Sequence, residues 1–256
     1  MKRSILSTLF PQPIAHRGLH DPARGIIENS ISAFEAAIEH GYAIECDVQL
    51  SSDGVPFIFH DDDFDRLTEV KGASDARPIA EVQTLVLKGS AAGEVPQRFT
   101  EFLQQIGGRT MLQIELKEQS DRTKTAALAR AVAQALADYE GPYSLESFDP
   151  SLLMALRREG AKAPLGIIVY SYDEAEWDQH IPRWKKFILR HLLHWPWTRF
   201  SFISCRNIAI YLPMVRFLRA RGMPVTAWTI TSPQAARAAA RGADQIVFEG
   251  FLPEIG

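Results

Sequence analysis

Eight short apolar runs, each separated from the next by a stretch with helical spacing, constrain this chain more than any other feature. They lie near residues 14, 45, 114, 145, 167, 202, 227 and 247 and are bounded by Gly, Pro and polar clusters. Near-continuous apolar strands alternating with helices are what a parallel sheet needs when both faces are covered, and eight such units close it into a barrel. The predicted fold is α/β, a (β/α)8 TIM barrel, with a small insertion after the hairpin that follows the second strand. A chain of 256 residues with 46% hydrophobic composition is large enough to form it as one domain over residues 1–256.

The expected strands after the second are Thr110 to Glu118, Tyr143 to Ser147, Leu165 to Tyr170, Arg199 to Ser204, Pro224 to Ile230 and Gln245 to Phe248. Apolar spacing predicts helices after Asn29-Ser30 up to Gly41, and over Asp121 to Tyr139, Pro150 to Glu159, Ile208 to Arg221 and Pro233 to Arg241. Met1 to Phe10 is expected to be an arm or helix that helps cover the barrel floor. Asp61 to Glu94 is polar and weakly periodic, an excursion outside the regular repeat.

The chemistry gathers in AIECDVQLSSDGVPFIFHD, from Ala43 to Asp61. Two apolar runs joined by Ser51-Ser52-Asp53-Gly54 predict a hairpin, and a turn centred near Asp53 sets His60 opposite Asp47. Alternation puts Glu45 and Asp47 on one face. Buried like charges need compensation, which points to a cation between them, and hard oxygen ligands favour Mg2+ or Ca2+ over Zn2+. Barrels of this kind carry their reactive groups at the carboxyl ends of the strands. His16 and Arg17 end the first strand, Glu45 and Asp47 the second, and Glu115 and Lys117 the third. Three carboxylates form a hard-cation site, Arg17 and Lys117 supply charge for an anion, and His16 and His60 are an acid and base pair, in an order the sequence leaves open. Hydrolysis of a phosphodiester needs that combination.

Other features narrow the setting. A net charge of −3 provides no basic field for nucleic acid. Cys46 and Cys205 are far apart and show no metal or disulfide spacing. No run reaches the roughly 18 apolar residues of a membrane span, and the N-terminus lacks a cleavage pattern, so a cytoplasmic chain without membrane insertion is expected. The oligomeric state is not legible. His20, His40, His180, His191 and His194 read as surface or packing residues, Cys46 as core, and Ser147 and Phe148 as barrel packing. Arg183 to Phe200, RWKKFILRHLLHWPWTRF, interleaves aromatic with basic residues. It reads either as a membrane-facing patch or as a barrel helix followed by an aromatic loop, the second being preferred.

The sequence resembles the glycerophosphodiester phosphodiesterase family. The resemblance is carried by His16-Arg17-Gly18, Glu28-Asn29, Glu45-x-Asp47, Asp53-Gly54, His60-Asp61, Glu115-x-Lys117, Ser147-Phe148, Val225-x-x-Trp228-Thr229 and Gly242-Ala243-Asp244, in family order over nearly the whole chain. It implies a TIM barrel, a divalent metal on Glu45, Asp47 and Glu115, catalytic His16 and His60, and phosphate-facing Arg17 and Lys117. Residues 61–94 would be the family's small inserted subdomain. Glu28 and Asn29 would lie near the metal, or serve only as a helix cap; Trp228 would wall the glycerol pocket, or pack across the barrel top. The implied reaction converts a small-molecule glycerophosphodiester to an alcohol and glycerol 3-phosphate. Two rival readings are a lysophospholipase D or cyclising phospholipase D-like activity on lysolipids, and a barrel that binds phosphodiesters without turnover. Two departures stand out. Pro96-Gln97-Arg98 replaces the usual Pro-Thr-Leu, and Phe248-Glu249-Gly250 replaces a Thr-Asp ending, so that Glu249 would reach further into the barrel mouth.

Overall fold

The structure is a computed structural model that describes residues 9–173, 179 and 181–255. Its strands are β1 (Ile14–Ala15), β2 (Ala43–Leu50), β3 (Pro56–Ile58), β4 (Leu112–Leu116), β5 (Tyr143–Ser147), β6 (Leu165–Val169), β7 (Phe202–Arg206), β8 (Val225–Ile230) and β9 (Gln245–Phe248). All except β3 pair in parallel with their neighbours, and β1 pairs with both β2 and β9. The sheet therefore closes into an eight-stranded barrel, the TIM architecture expected from the alternation. The antiparallel β3 hangs on β2 as the hairpin return.

The helices are α1 (Ile31–Glu39), α2 (Ile79–Val82), α3 (Phe99–Ile106), α4 (Arg122–Ala135), α5 (Pro150–Arg158), α6 (Arg183–Arg190), α7 (Trp195–Thr198), α8 (Pro213–Ala220) and α9 (Pro233–Ala239). Polar side chains start several of them: Ser30, Asp121, Asp149 and Ser232 each accept a bond from an N–H of the first turn. The predicted helix from Ile208 to Arg221 is broken. A single turn at Ala209–Tyr211 stops at Leu212, which is extended at ψ 134° because it precedes Pro213, and α8 restarts there.

One apolar core lies between the barrel wall and its helices, while a second small cluster forms under the hairpin. There Phe57, Phe59 and Phe64 pack with Ile79, Val82 and Leu85, giving the stretch after His60 its own apolar anchor. Phe10 closes the barrel floor with Ile14, Met111, Phe202 and Val247, its ring 5.1 Å from that of Phe202. Residues 1–8 of that arm, and His180, lie outside the described residues.

Two expectations need correction. Strand β7 begins at Phe202 rather than Arg199, because Arg199 takes a left-handed conformation that caps α7. The hairpin register is one residue off: Val48 faces Ile58, and the Phe59 N–H donates to the Asp47 carbonyl at 3.1 Å. The reason is the turn, which holds the three residues Ser52, Asp53 and Gly54. Ser51 N–H bonds the Val55 carbonyl across it, and Gly54 takes φ +80°. His60 falls just beyond the ladder, free to turn toward the barrel mouth.

Candidate active site

The carboxyl end of β1 opens into His16-Arg17-Gly18, and the backbone there is shaped for close approach. Arg17 and Gly18 both have positive φ, and a Cβ on Gly18 would meet the Ala33 carbonyl carbon at 2.8 Å, so only glycine fits. This turn aims the Arg17 N–H at Glu45 Oε2, 2.9 Å away. Its guanidinium donates to Glu28 Oε1 at 2.6 Å and stands 3.4 Å from Asp47 Oδ2. Asn29 donates from Nδ2 to Asp47 Oδ2 at 2.9 Å, so Glu28 and Asn29 bear directly on the carboxylate site.

Alternation along β2 turns Glu45 and Asp47 into the barrel mouth and Cys46 outward into the core. The parallel register sets Asp47 beside Glu115 of β4. Carboxylate oxygens of Glu45, Asp47 and Glu115 all lie within 4.8 Å of one another, and all three residues are buried. Burial, together with Asp47 and Glu115, pushes the Glu45 carboxyl well above the usual range. Burial opposes charge on Asp47 too, but Lys117, His60 and Arg17 outweigh it and hold that carboxyl below the usual range. Lys117 Nζ sits 2.8 Å from Glu115 Oε1 and 3.4 Å from Asp47 Oδ1. A buried trio of hard oxygen donors carrying more negative charge than its neighbours neutralise is a donor set suited to a divalent cation such as Mg2+ or Ca2+.

Both histidines are oriented by a carboxylate. His16 Nδ1 bonds Glu249 Oε2 at 2.7 Å, so the longer side chain that departs from the family pattern does reach the mouth. Burial lowers the His16 pKa, with the Glu249 bond working against it. His60 Nδ1 bonds Asp61 Oδ1 at 2.6 Å. Asp61 in turn accepts from Arg66, which also grips both oxygens of Glu28 at 2.8 Å. In both rings the bond at Nδ1 leaves Nε2 for chemistry.

A cavity of about 420 Å3 holds His16, Arg17, Glu45, His60, Glu115 and Trp228 together. A second, of about 450 Å3, shares His60, Glu115 and Phe148 with it and takes in Lys117, Tyr170 and Leu189. Trp228 lines the first cavity and packs edge-to-face on Phe148, with ring centroids 5.7 Å apart. Phe148 borders both cavities while packing against the core.

Three residues escaped the sequence reading. Glu146 sits beside Glu115 in the register of β4 and β5, accepts from Gln113 Nε2 at 2.9 Å, and is pushed by burial up to about 8. A carboxylate at an inward position of an apolar strand was the available signal. His20, read as surface or packing, brings Nε2 to 3.6 Å from Glu249, and Arg66 joins the site from the irregular excursion; neither carries a local signal.

A family model described as the glycerophosphoryl diester phosphodiesterase family matches residues 16–249. Among curated relatives, glycerophosphodiester phosphodiesterase domain-containing protein 4 of Macaca fascicularis is 46% identical over 66 residues, 25% of this chain and 10% of that protein. The glycerophosphodiester phosphodiesterase of Caldanaerobacter subterraneus is 40% identical over 73 residues, 28% of this chain and 29% of that protein. The aligned segments thus span under a third of these relatives. Among solved structures, an Oleispira antarctica phosphodiesterase in complex with the product sn-glycerol-3-phosphate has a TM-score of 0.76 at 24% identity, covering 95% of this chain and 94% of that one. A glycerophosphodiester phosphodiesterase from Thermotoga maritima has a TM-score of 0.67 at 22% identity, with 92% of each chain covered. At these identities the structures attest the shared barrel, while the family model spans nearly the entire chain: the protein belongs to the glycerophosphoryl diester phosphodiesterase family.

Proposed function

We propose that this chain hydrolyses glycerophosphodiesters to an alcohol and glycerol 3-phosphate, using His16 as base and His60 as acid beside a divalent cation. The observation that carries the reading is the meeting, in one cavity, of two carboxylate-oriented imidazoles with Glu45 and Glu115, whose oxygens lie within 4.8 Å of each other and of the buried Asp47 behind them. Glu45, Asp47 and Glu115 would hold the cation, whose chemistry is Lewis-acid neutralisation of phosphate charge. Arg17 and Lys117 balance the remaining charge on the non-bridging oxygens.

The division of labour between the imidazoles follows from their settings. Burial favours neutral His16, and its Nε2 takes the proton from the attacking hydroxyl. His60 alone of the two borders both cavities, so its Nε2 is placed to protonate an alcohol leaving into the second one. As the bond from phosphorus to that alcohol breaks, a bond to the attacking oxygen forms. When the attacker is the neighbouring glycerol hydroxyl, a cyclic phosphate results and water opens it. Residues 61–94, through Asp61, Asp62 and Asp63, form part of the second cavity's rim, as an inserted subdomain would.

The second cavity also supports the lysolipid reading, since its Phe148, Tyr170 and Leu189 offer an apolar wall to a longer alcohol. A panel of glycerophosphodiesters and lysophospholipids, incubated with Mg2+, Ca2+ or chelator and followed by phosphorus NMR, tests both. Glycerol 3-phosphate that forms only with metal is the expected product. Turnover of lysolipids in preference to deacylated diesters assigns the second reading, and a persistent cyclic phosphate assigns a cyclising enzyme. No turnover with either ion overturns the proposal and leaves a binding barrel.

A further inference from the structure

Between Gln179 and Ala243 the chain carries eleven Lys or Arg and not one Asp or Glu, although its overall charge is −3. Helices α6, α7, α8 and α9 all fall in this stretch. Arg190 pairs with Asp173 and Arg219 with Asp244, and Arg206 ends β7, yet the helices themselves carry no carboxylate, so they present an excess of positive charge. The same side exposes large apolar rings. Trp184 and Trp197 are 67% and 69% exposed, and Phe187, Leu193, Trp195 and Phe217 are also open to solvent. Such a concentration of aromatic surface on a water-facing helix pair calls for an explanation.

The arrangement is directional. Trp184, Phe187 and His191 follow at three- and four-residue spacing and so share one face of α6, with the Phe187 and His191 rings 4.3 Å apart. Lys185 and Leu189 share another face and line the cavity beside His60. Beyond α6, a groove of about 590 Å3 joins the α7 turn to α8 through Leu193, Trp195 and Phe217. Arg221 lies over the Phe217 ring at 4.4 Å, and Arg183 and Arg199 are exposed nearby in sequence to the tryptophans.

We propose that α6, α7 and α8 form a docking surface for the anionic face of a lipid bilayer. Tryptophan and phenylalanine enter the boundary between headgroups and acyl chains, and guanidinium groups beside them meet lipid phosphates. The contact lies on the bilayer surface, because no described helix is long and apolar enough to cross it. A second copy of this chain fits less well, since a two-fold contact through the same face would bring its positive charge against itself.

The proposal is independent of the hydrolytic activity and is read by binding alone. The full chain is sedimented with vesicles of phosphatidylcholine containing 30 mol% phosphatidylglycerol (about one anionic lipid in three), and with vesicles of phosphatidylcholine alone. Binding is expected to the anionic vesicles at low salt and to weaken as salt shortens the Debye length from about 10 Å at 0.1 M to about 3 Å at 1 M. The double variant Trp184→Ala, Trp197→Ala, altered only at exposed positions, should bind about tenfold more weakly, while circular dichroism and turnover of soluble diesters stay unchanged. Equal sedimentation with both vesicle types, none with anionic vesicles at low salt, or undiminished binding by the double variant overturns it. So does a concentration-dependent dimer that the double variant abolishes and that binds no vesicles, which would assign the face to a second copy.

Discussion

Replacing Glu45 by Gln is predicted to stabilise the protein stripped of metal and to abolish the stability it gains from a divalent cation. The oxygens of Glu45, Asp47 and Glu115 lie within 4.8 Å of one another. Two unit charges at that distance repel by about 3.5 kcal/mol at an effective dielectric of about 20. Arg17 and Lys117 offset part of this from 3.4 Å on Asp47. Burial, with the charges of Asp47 and Glu115, pushes the Glu45 carboxyl toward its neutral form, which limits the penalty. Gln keeps the shape and still accepts the Arg17 N–H bond, so chelator-treated Glu45→Gln should gain about 1 to 3 kcal/mol, or roughly 3 to 10 °C in unfolding midpoint for a chain of this size.

The pH dependence carries a sign. A carboxyl whose folded-state pKa lies above its unfolded value takes up a proton on folding, so it withdraws stability as pH rises above about 4.5. The advantage of Glu45→Gln therefore grows with pH over that range. Thermal unfolding followed by circular dichroism, in chelator and in millimolar Mg2+, separates the outcomes. Wild type should rise in Mg2+ and the variant should not. A variant less stable than wild type in chelator, or one with an equal Mg2+ shift, refutes the reasoning.

Other perturbations address the histidines and their supports. His60→Ala should lower kcat by about 10² to 10⁴ while the fold survives by circular dichroism, and near-normal turnover would remove it from the acid role. Glu249 is a positioning residue, and the hydrogen bond from His16 is the first of the contacts that hold its carboxyl below the usual range. Glu249→Gln should cut kcat by about tenfold or more, since Nδ1 loses its charged partner. It should also lower the His16 pKa further, moving the acidic limb of the pH–rate profile downward; a limb that moves upward contradicts the assignment. In Arg66→Ala, Glu28 loses the bonds that, with Arg17 and against burial, hold it at about 2. A depressed carboxyl contributes stability above its unfolded pKa and loses it as pH falls through the folded one, so acid unfolding of the variant should begin at higher pH. Because Arg66 is 49% exposed, the change near neutral pH should be only about 1 kcal/mol.

Much of this architecture was legible because parallel strands buried on both faces leave unbroken apolar runs, as in Leu165–Val169. Glu45, Asp47 and Glu115 could be read as a cluster because alternation and neighbouring strands suffice to bring them together. What depended on backbone detail was less accessible. The hairpin register turned on whether two or three residues formed the turn at Ser52-Asp53-Gly54, and the start of β7 on one left-handed residue, Arg199. Contacts made across long sequence separations left no local trace. Arg66 reaches Glu28 across 38 residues and Glu249 reaches His16 across 233, and only the closed barrel brings such groups together.

A cation held by Glu45, Asp47 and Glu115 is the centre of the proposed chemistry, and titration of the chelator-treated chain with Mn2+, read by the electron paramagnetic resonance of the free ion, tests it most directly. Saturable binding that Mg2+ or Ca2+ displaces, and that Asp47→Asn and Glu115→Gln each abolish, is the expected result. Mn2+ binding that persists after both carboxylates are removed, or none in the wild type, would contradict it.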